Sequence, residues 1–279
     1  MDTKMPPVGG MWARVAPHWR SYAEYADARA ARVTDVLLDR TAVRSGDRVL
    51  ELACGAGGTG LAAAVRVGPA GHVVLSDLVP EMTAIAYDRA AELGLTNTSV
   101  AQLDLQRIDQ PDASFDVVLC REGLMFATDP GAALAEIRRV LRPRGRMAVA
   151  VWGPRADNPW LGIVFDAVTA QTGQPVPPPG IPGPFALEDK RRLGELVGEA
   201  GFANVAVTEQ PCPMRDRSFE EWWTRTCSLA GPLTARLSAM SNEDRATLSE
   251  LAREATRAYE APDGLQFPGL TLVASGRRN

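Results

Sequence analysis

The chain has 279 residues, with 30 Lys and Arg against 34 Asp and Glu and a formal net charge of −4. That balance, with no basic stripe, disfavours nucleic acid as a partner, and no run approaches the ~18 consecutive apolar residues of a membrane helix. Residues 1–10 lack the apolar centre of a signal peptide, and Cys54, Cys120, Cys212 and Cys227 have neither Cys-x-x-Cys spacing nor a histidine pair nearby, so no metal site or disulfide framework is expected and a reducing, cytoplasmic location is.

From the N-terminus, Trp12, Trp19, Tyr22 and Tyr25 lead into a helix expected over residues 26–41, where Ala30, Val33, Leu37 and Leu38 recur at helical spacing. The aromatics either pack that helix on a sheet edge or form a flap over a ligand. From Gly46 the pattern alternates, with strands over residues 49–53, 72–76, 99–103, 117–121 and 147–152 and helices over 58–67, 80–93 and 130–141. Such alternation implies right-handed crossovers and a parallel sheet with helices on both faces, binding its ligands at the carboxyl ends of the strands. A helix over 158–172 follows. The proline-rich run 175–184 reads as a loop or lid edge, because proline lacks a donor and fixes φ. Beyond it come a helix over 187–200 closed by Gly201, a sixth strand over 203–209, helices over 219–230, 232–240 and 242–259, and a last strand over 265–275. Ser241 is the expected N-cap of the last helix, with Asp244 near the capping-box position. One domain is expected: a helical N-terminal flap (1–45), a cofactor-binding core (46–153), and a substrate cover with the C-terminal strands (154–279).

The stretch from Arg48 to Leu61 carries the chemistry. A short apolar run ends in Gly55, Gly57, Gly58 and Gly60, which let backbone approach a ligand while the next helix aims free N–H groups at the same spot. Gly55, Gly57 and Gly60 also spell the G-x-G-x-x-G of nicotinamide-binding domains, with Asp77 at the distance of a ribose-binding acid. Charge separates the two readings. Glu51 precedes the turn and would repel a pyrophosphate, whereas it would attract the sulfonium and ammonium of S-adenosylmethionine.

Leu50-Glu51-Leu52-Ala53-Cys54-Gly55-Ala56-Gly57 resembles the first motif of class I S-adenosylmethionine-dependent methyltransferases. Ser76-Asp77-Leu78 with Glu81-Met82, then residues 114–118, then residues 138–146 are similar to later motifs of that family in order, nearest to its ubiquinone/menaquinone biosynthesis-type branch. Arg144 stands where the family usually has glycine. The resemblance implies a Rossmann-like, seven-stranded, mostly parallel sheet whose last strand runs antiparallel between the fifth and sixth. It implies further that Glu51 receives the cofactor's ammonium while Ala53, Cys54, Gly55, Ala56 and Gly57 cradle its amino-acid part. Asp77 would accept the ribose hydroxyls, Leu78 and Met82 would sandwich the adenine, Asp104 and Leu105 would meet its edge, and Arg121 would offer a neighbouring backbone. For Asp77, a cofactor role predicts that its replacement by Ala leaves stability nearly unchanged, whereas a helix cap predicts the reverse.

Methyl transfer needs alignment in a water-poor pocket more than a fixed catalytic motif. His18 is the better placed of the two histidines for a general base, with Glu122 as its rival; Arg121 and Glu122 could instead form only an ion pair with each other. All six tryptophans fall outside residues 48–150, which suggests a pocket built by the cover for a fairly hydrophobic acceptor, aromatic or polyketide-like. The expected function is methylation of a small hydrophobic molecule, at oxygen in preference to nitrogen or carbon, by a monomer or homodimer that releases S-adenosylhomocysteine. The alternatives are a nicotinamide-dependent oxidoreductase and a non-catalytic S-adenosylmethionine-binding protein.

Overall fold

β1 (Arg48–Leu52) lies inside a seven-stranded sheet because Val49, Leu50 and Leu52 present apolar side chains to both faces and all three are fully buried. The computed structural model describes residues 8–177 and 182–279; residues 1–7 of the expected flap and 178–181 of the proline-rich run lie outside the described residues.

α1 (Val8–Ser21) and α2 (Ala23–Arg40) precede β1, so the aromatics before residue 26 sit in a helix of their own. Then follow α3 (Gly58–Val67), β2 (His72–Asp77), α4 (Pro80–Glu92), β3 (Thr98–Gln102), β4 (Phe115–Arg121), α5 (Pro130–Val140), β5 (Leu141–Trp152) and α6 (Pro159–Thr172). α7 (Lys190–Glu199), β6 (Ala203–Pro211), β7 (Met214–Asp216), α8 (Phe219–Leu229), α9 (Gly231–Ser238), α10 (Asn242–Thr256), β8 (Glu260–Ala261), β9 (Gly264–Phe267) and β10 (Leu270–Arg277) complete the described elements.

The sheet order is β3-β2-β1-β4-β5-β10-β6. β1 pairs in parallel with β2 on one side and β4 on the other, which makes the β1/β4 boundary the switch point of the sheet. β10 runs antiparallel between β5 and β6. Leu50, Leu75 and Leu119 form part of the buried middle, each contributing about 2 kcal/mol by leaving water.

The last strand is not continuous over 265–275 as expected. Pro268 cannot donate to a ladder, and Gly269 passes so close to the Cys212 carbonyl that a Cβ would stand 2.0 Å from it. The chain therefore breaks there: β9 joins β7 and β8 in a separate three-stranded sheet, and β10 returns to the main one. Arg144 takes the left-handed φ of +66° that the family's glycine would adopt, and its N–H donates to the Arg278 carbonyl at 2.8 Å. At the start of α10 Ser241 Oγ accepts from the Asp244 N–H at 3.1 Å and donates to Asp244 Oδ2 at 2.7 Å. No helix among the described residues is long and apolar enough to cross a membrane.

Candidate active site

At the carboxyl ends of β1, β2 and β4 lies a crevice lined by Glu51, Ala53, Cys54, Gly55, Asp77, Leu78, Met82, Asp104, Leu105 and Arg121, together with Gln106, Glu122 and Trp19. Ala53 turns the chain out of β1 by taking φ +51°, and the Cys54 N–H is held by the Ser76 carbonyl at 2.9 Å. Ala56 and Gly57 are not in the lining. Gly57 turns toward α4, where a Cβ would stand 3.0 Å from Ala86 Cβ, so the close packing of the turn on α4 fills that position.

The turn is arranged for carboxylates. Glu51 Oε2 accepts from the Gly60 N–H at 2.9 Å, and a Cβ on Gly60 would lie 2.4 Å from that oxygen. Asp27 reaches over from α2 to the same helix start, where a Cβ on Gly58 would stand 1.8 Å from its Oδ1. Two carboxylates thus occupy the N-terminus of α3, the place where a dinucleotide would put its pyrophosphate. The literal G-x-G-x-x-G is not a phosphate cradle.

Asp77 is doubly engaged: Oδ2 accepts from the Gly55 N–H at 2.9 Å and Oδ1 from the Val79 N–H at 3.0 Å. It therefore ties the end of β2 to the glycine turn, and the expectation that its loss would leave stability nearly unchanged is corrected. It does not cap α4, whose N-cap residue is Val79. Burial raises the Asp77 carboxyl above its usual range against these N–H bonds, and raises Glu51 to about 8 against the opposing Arg121 charge and Gly60 N–H. Asp104 accepts from the Gln106 N–H at 2.8 Å, which folds the loop after β3 under the crevice.

Arg121 and Glu122 do not pair with each other. Arg121 donates to Thr34 Oγ1 at 3.0 Å and stands 3.6 Å from Asp27, whereas Glu122 receives Arg29 Nη2 at 3.1 and 3.4 Å. Asp27, Arg29 and Thr34 all come from α2, and no periodicity in the sequence signals these long-range contacts. Arg121 lines the crevice with its charge met by Asp27, so the remaining carboxylates of the wall suit a cationic ligand. The residues present thus fit S-adenosylmethionine: Glu51 would hold its ammonium, Asp77 its ribose and Asp104 its base.

His18 is corrected as a catalytic candidate. Val15 and Ala16 turn inward, whereas Arg14, Pro17, His18 and Ser21 form the exposed stripe of α1, and His18 lines neither cavity. Trp12 and Trp19, on the inner side of the same helix, reach the site instead. Trp19 Nε1 donates to the Leu229 carbonyl at 3.2 Å, tying α1 to α8.

A second cavity adjoins the crevice, sharing Trp12, Trp19, Glu122 and Phe126 with it. Its other walls include Tyr25, Arg29, Met125, Trp152, Trp160 and Phe165. Trp222 and Trp223 are absent from this lining. Trp223 stacks on Phe219 in the cover and Trp222 packs tilted against the same ring, fully buried and donating to the Trp160 carbonyl at 3.1 Å. Two of the polar groups in the aromatic cavity are engaged: Tyr25 OH donates to Met214 Sδ at 3.0 Å with its pKa pushed up to about 12 by burial, and Arg225 is ion-paired with Asp216 beneath the Tyr25 ring.

Against this geometry, the methyltransferase-domain family pattern matches residues 43–167. The ubiquinone/menaquinone biosynthesis C-methyltransferase of Cupriavidus metallidurans is 39% identical over 133 residues, 43% of this chain and 54% of that protein. The enzyme of the same name from Ralstonia pickettii is 34% identical over 173 residues, covering 57% of this chain and 71% of its own length. The chain spans about half the length of most such curated relatives, 54% and 50% for the first two. Among solved structures, the YcgJ protein of Bacillus subtilis shares the fold, with a TM-score of 0.60 at 19% identity over 89% of this chain and 99% of that one.

Proposed function

The chain belongs to the class I S-adenosylmethionine-dependent methyltransferases, related to the ubiquinone/menaquinone biosynthesis-type branch, and from that membership we propose that it methylates a small, fairly hydrophobic aromatic molecule. One observation carries the acceptor half of this reading: the aromatic cavity shares Trp12, Trp19, Phe126 and Glu122 with the carboxylate-lined crevice. When bound, S-adenosylmethionine supplies an electrophilic methyl group. The chain's own residues orient its ammonium and ribose through Glu51 and Asp77, and the tryptophans keep water from the acceptor.

Transfer to oxygen is the primary reading, because Glu122 stands at the junction of the two cavities, where it can accept the proton of an acceptor hydroxyl. Transfer to carbon is the second, favoured by the C-methyltransferase name of the curated relatives. Incubation with methyl-labelled S-adenosylmethionine and a panel of hydroxylated aromatics tests both, since NMR distinguishes a labelled methoxy group from a labelled ring methyl. Tighter binding of NAD than of S-adenosylhomocysteine, with no label transferred, would overturn the proposal. An acidic chain with this pocket suits a small-molecule acceptor better than a nucleic acid.

A further inference from the structure

We propose that Arg29 is a catalytic residue of this reaction, the cation that takes over the charge of the acceptor oxygen when Glu122 removes its proton. The inference rests on the methyl-transfer reading and adds a residue that neither the glycine turn nor the motifs contain.

Arg29 comes from α2 and reaches the aromatic cavity as one half of a nearly dry ion pair, with side chains 9% and 13% exposed for Arg29 and Glu122. Its guanidinium lies 4.7 Å over the Trp152 ring and 5.9 Å from that of Trp160, which fixes its plane. Nη2 faces the two Glu122 oxygens and Nη1 faces Cys212 Sγ at 3.6 Å. A guanidinium has five N–H donors, so these contacts leave it capacity for an acceptor oxygen. Burial opposes the charge on Arg29, but the Glu122 carboxylate together with Cys212 and Tyr25 offsets this and holds its pKa above the usual guanidinium value.

The backbone adds an independent sign. Glu122 sits at φ +59°, a conformation in which a side chain costs on the order of 1 kcal/mol, and its N–H is anchored to the Ala150 carbonyl at 2.8 Å. A carboxylate stands where glycine would fold more easily. The other titratable groups around the pair are committed. Tyr25 is pushed up to about 12, Cys212 is raised by burial, and Asp216 is held by Arg225; Arg121, the next residue along, faces Asp27.

Charge accounting selects what this pair can do. Arg29 and Glu122 together are neutral, so a ligand that arrives as an anion meets the carboxylate and one that arrives as a cation meets the guanidinium. A neutral hydroxyl escapes both penalties. Its O–H bond breaks, the proton goes to a Glu122 oxygen, and the electron pair stays on the acceptor as an oxyanion facing Arg29. The total charge of the cavity is unchanged, and no unpaired ion is buried at any stage. The acceptor's pair then forms the bond to the methyl carbon while the old carbon–sulfur pair remains on sulfur. The same device serves attack from oxygen or, where the oxyanion is conjugated, from a ring carbon.

The test uses the full chain with S-adenosylhomocysteine present and two probes of similar shape, 4-nitrophenol above its titration, at pH 9, and uncharged 4-nitrotoluene. Wild-type protein should bind nitrophenolate weakly, because the Glu122 carboxylate already balances the Arg29 guanidinium that would face the anion. Glu122→Gln should bind nitrophenolate about tenfold more tightly, since the guanidinium is no longer balanced. Adding Arg29→Met should abolish that gain, while 4-nitrotoluene binds all variants alike. Equal nitrophenolate affinity in wild type and Glu122→Gln, or retention of the gain without Arg29, would overturn the role of Arg29. If the chain with Arg29→Met does not fold, Arg29→Gln takes its place in the Glu122→Gln background, with the same loss of the gain expected. Failure of both probes to bind anything would instead overturn the aromatic acceptor cavity itself.

Discussion

Lowering the pH from 7 to 6 should weaken S-adenosylhomocysteine binding about tenfold, and Glu51 is the group that sets the effect. Burial pushes its carboxyl up from an ordinary 4.5 to about 8, against the Arg121 charge and the Gly60 N–H. At pH 7 such a group holds a proton in about nine molecules of ten, and at pH 6 in about 99 of a hundred. The ligand's ammonium, whose pKa is about 8 when free, is cationic throughout this window and needs the carboxylate. Binding must therefore expel the proton, at about 1.4 kcal/mol for each pH unit below the folded pKa, which is tenfold in affinity. Titration calorimetry at both pH values, in two buffers of different ionisation enthalpy, should find about one proton released per ligand in wild type and none in Glu51→Gln. The ligand-free protein supplies a sign check. Because the folded pKa lies above the unfolded one, the folded state binds more protons between about 4.5 and about 8, and stability is fully present below that window and declines as pH rises through it. The melting temperature of wild type should accordingly fall across the window more than that of Glu51→Gln. A wild-type affinity independent of pH from 6 to 7, with no proton released, would refute the placement of the ammonium at Glu51.

Asp77→Ala should weaken cofactor binding ten- to a hundredfold, for the loss of charge-assisted bonds of about 1.5 to 3 kcal/mol, and should also destabilise the fold by about 2 kcal/mol or more. The second effect follows from the Gly55 and Val79 N–H groups left without an acceptor, and an unchanged melting temperature would contradict it. His18→Ala should leave turnover unchanged, since the ring lies on the exposed stripe of α1; a loss of an order of magnitude would return it to the site. α1 carries Trp12 and Trp19 into both cavities, so hydrogen exchange over residues 8–21 should slow on binding S-adenosylhomocysteine. Equal, strong protection with and without the ligand would make that helix a fixed packing element.

The cofactor half was legible because its determinants are local. An apolar run, an acid, a glycine turn and a helix start follow one another within residues 48–61, and strand ends at Asp77 and Asp104 place one acid each where a parallel sheet opens. Contacts outside that local frame were not legible: Gly57 packs against Ala86 of α4, and the double engagement of Asp77 depends on the turn and on Val79 closing around it.

The acceptor half was legible only as a bias in where the tryptophans fall, because its walls come from distant parts of the chain. Arg29 meets Glu122 across 93 residues and Trp19 meets Leu229 across 210, and no periodicity in either segment announces such pairs. The choice between His18 and Glu122 shows the same limit, since one turn of α1 decides which side chain faces water, and that rotation is set by what the helix packs against. Sequence by itself determined the order of the strands' polar ends and the sign of the crevice, because charge and backbone freedom are properties of adjacent residues. Only the tertiary structure decided which cations neutralise which carboxylates and which aromatics enclose the acceptor, because burial, and with it the strength of every such interaction, is a property of residues brought together from far apart.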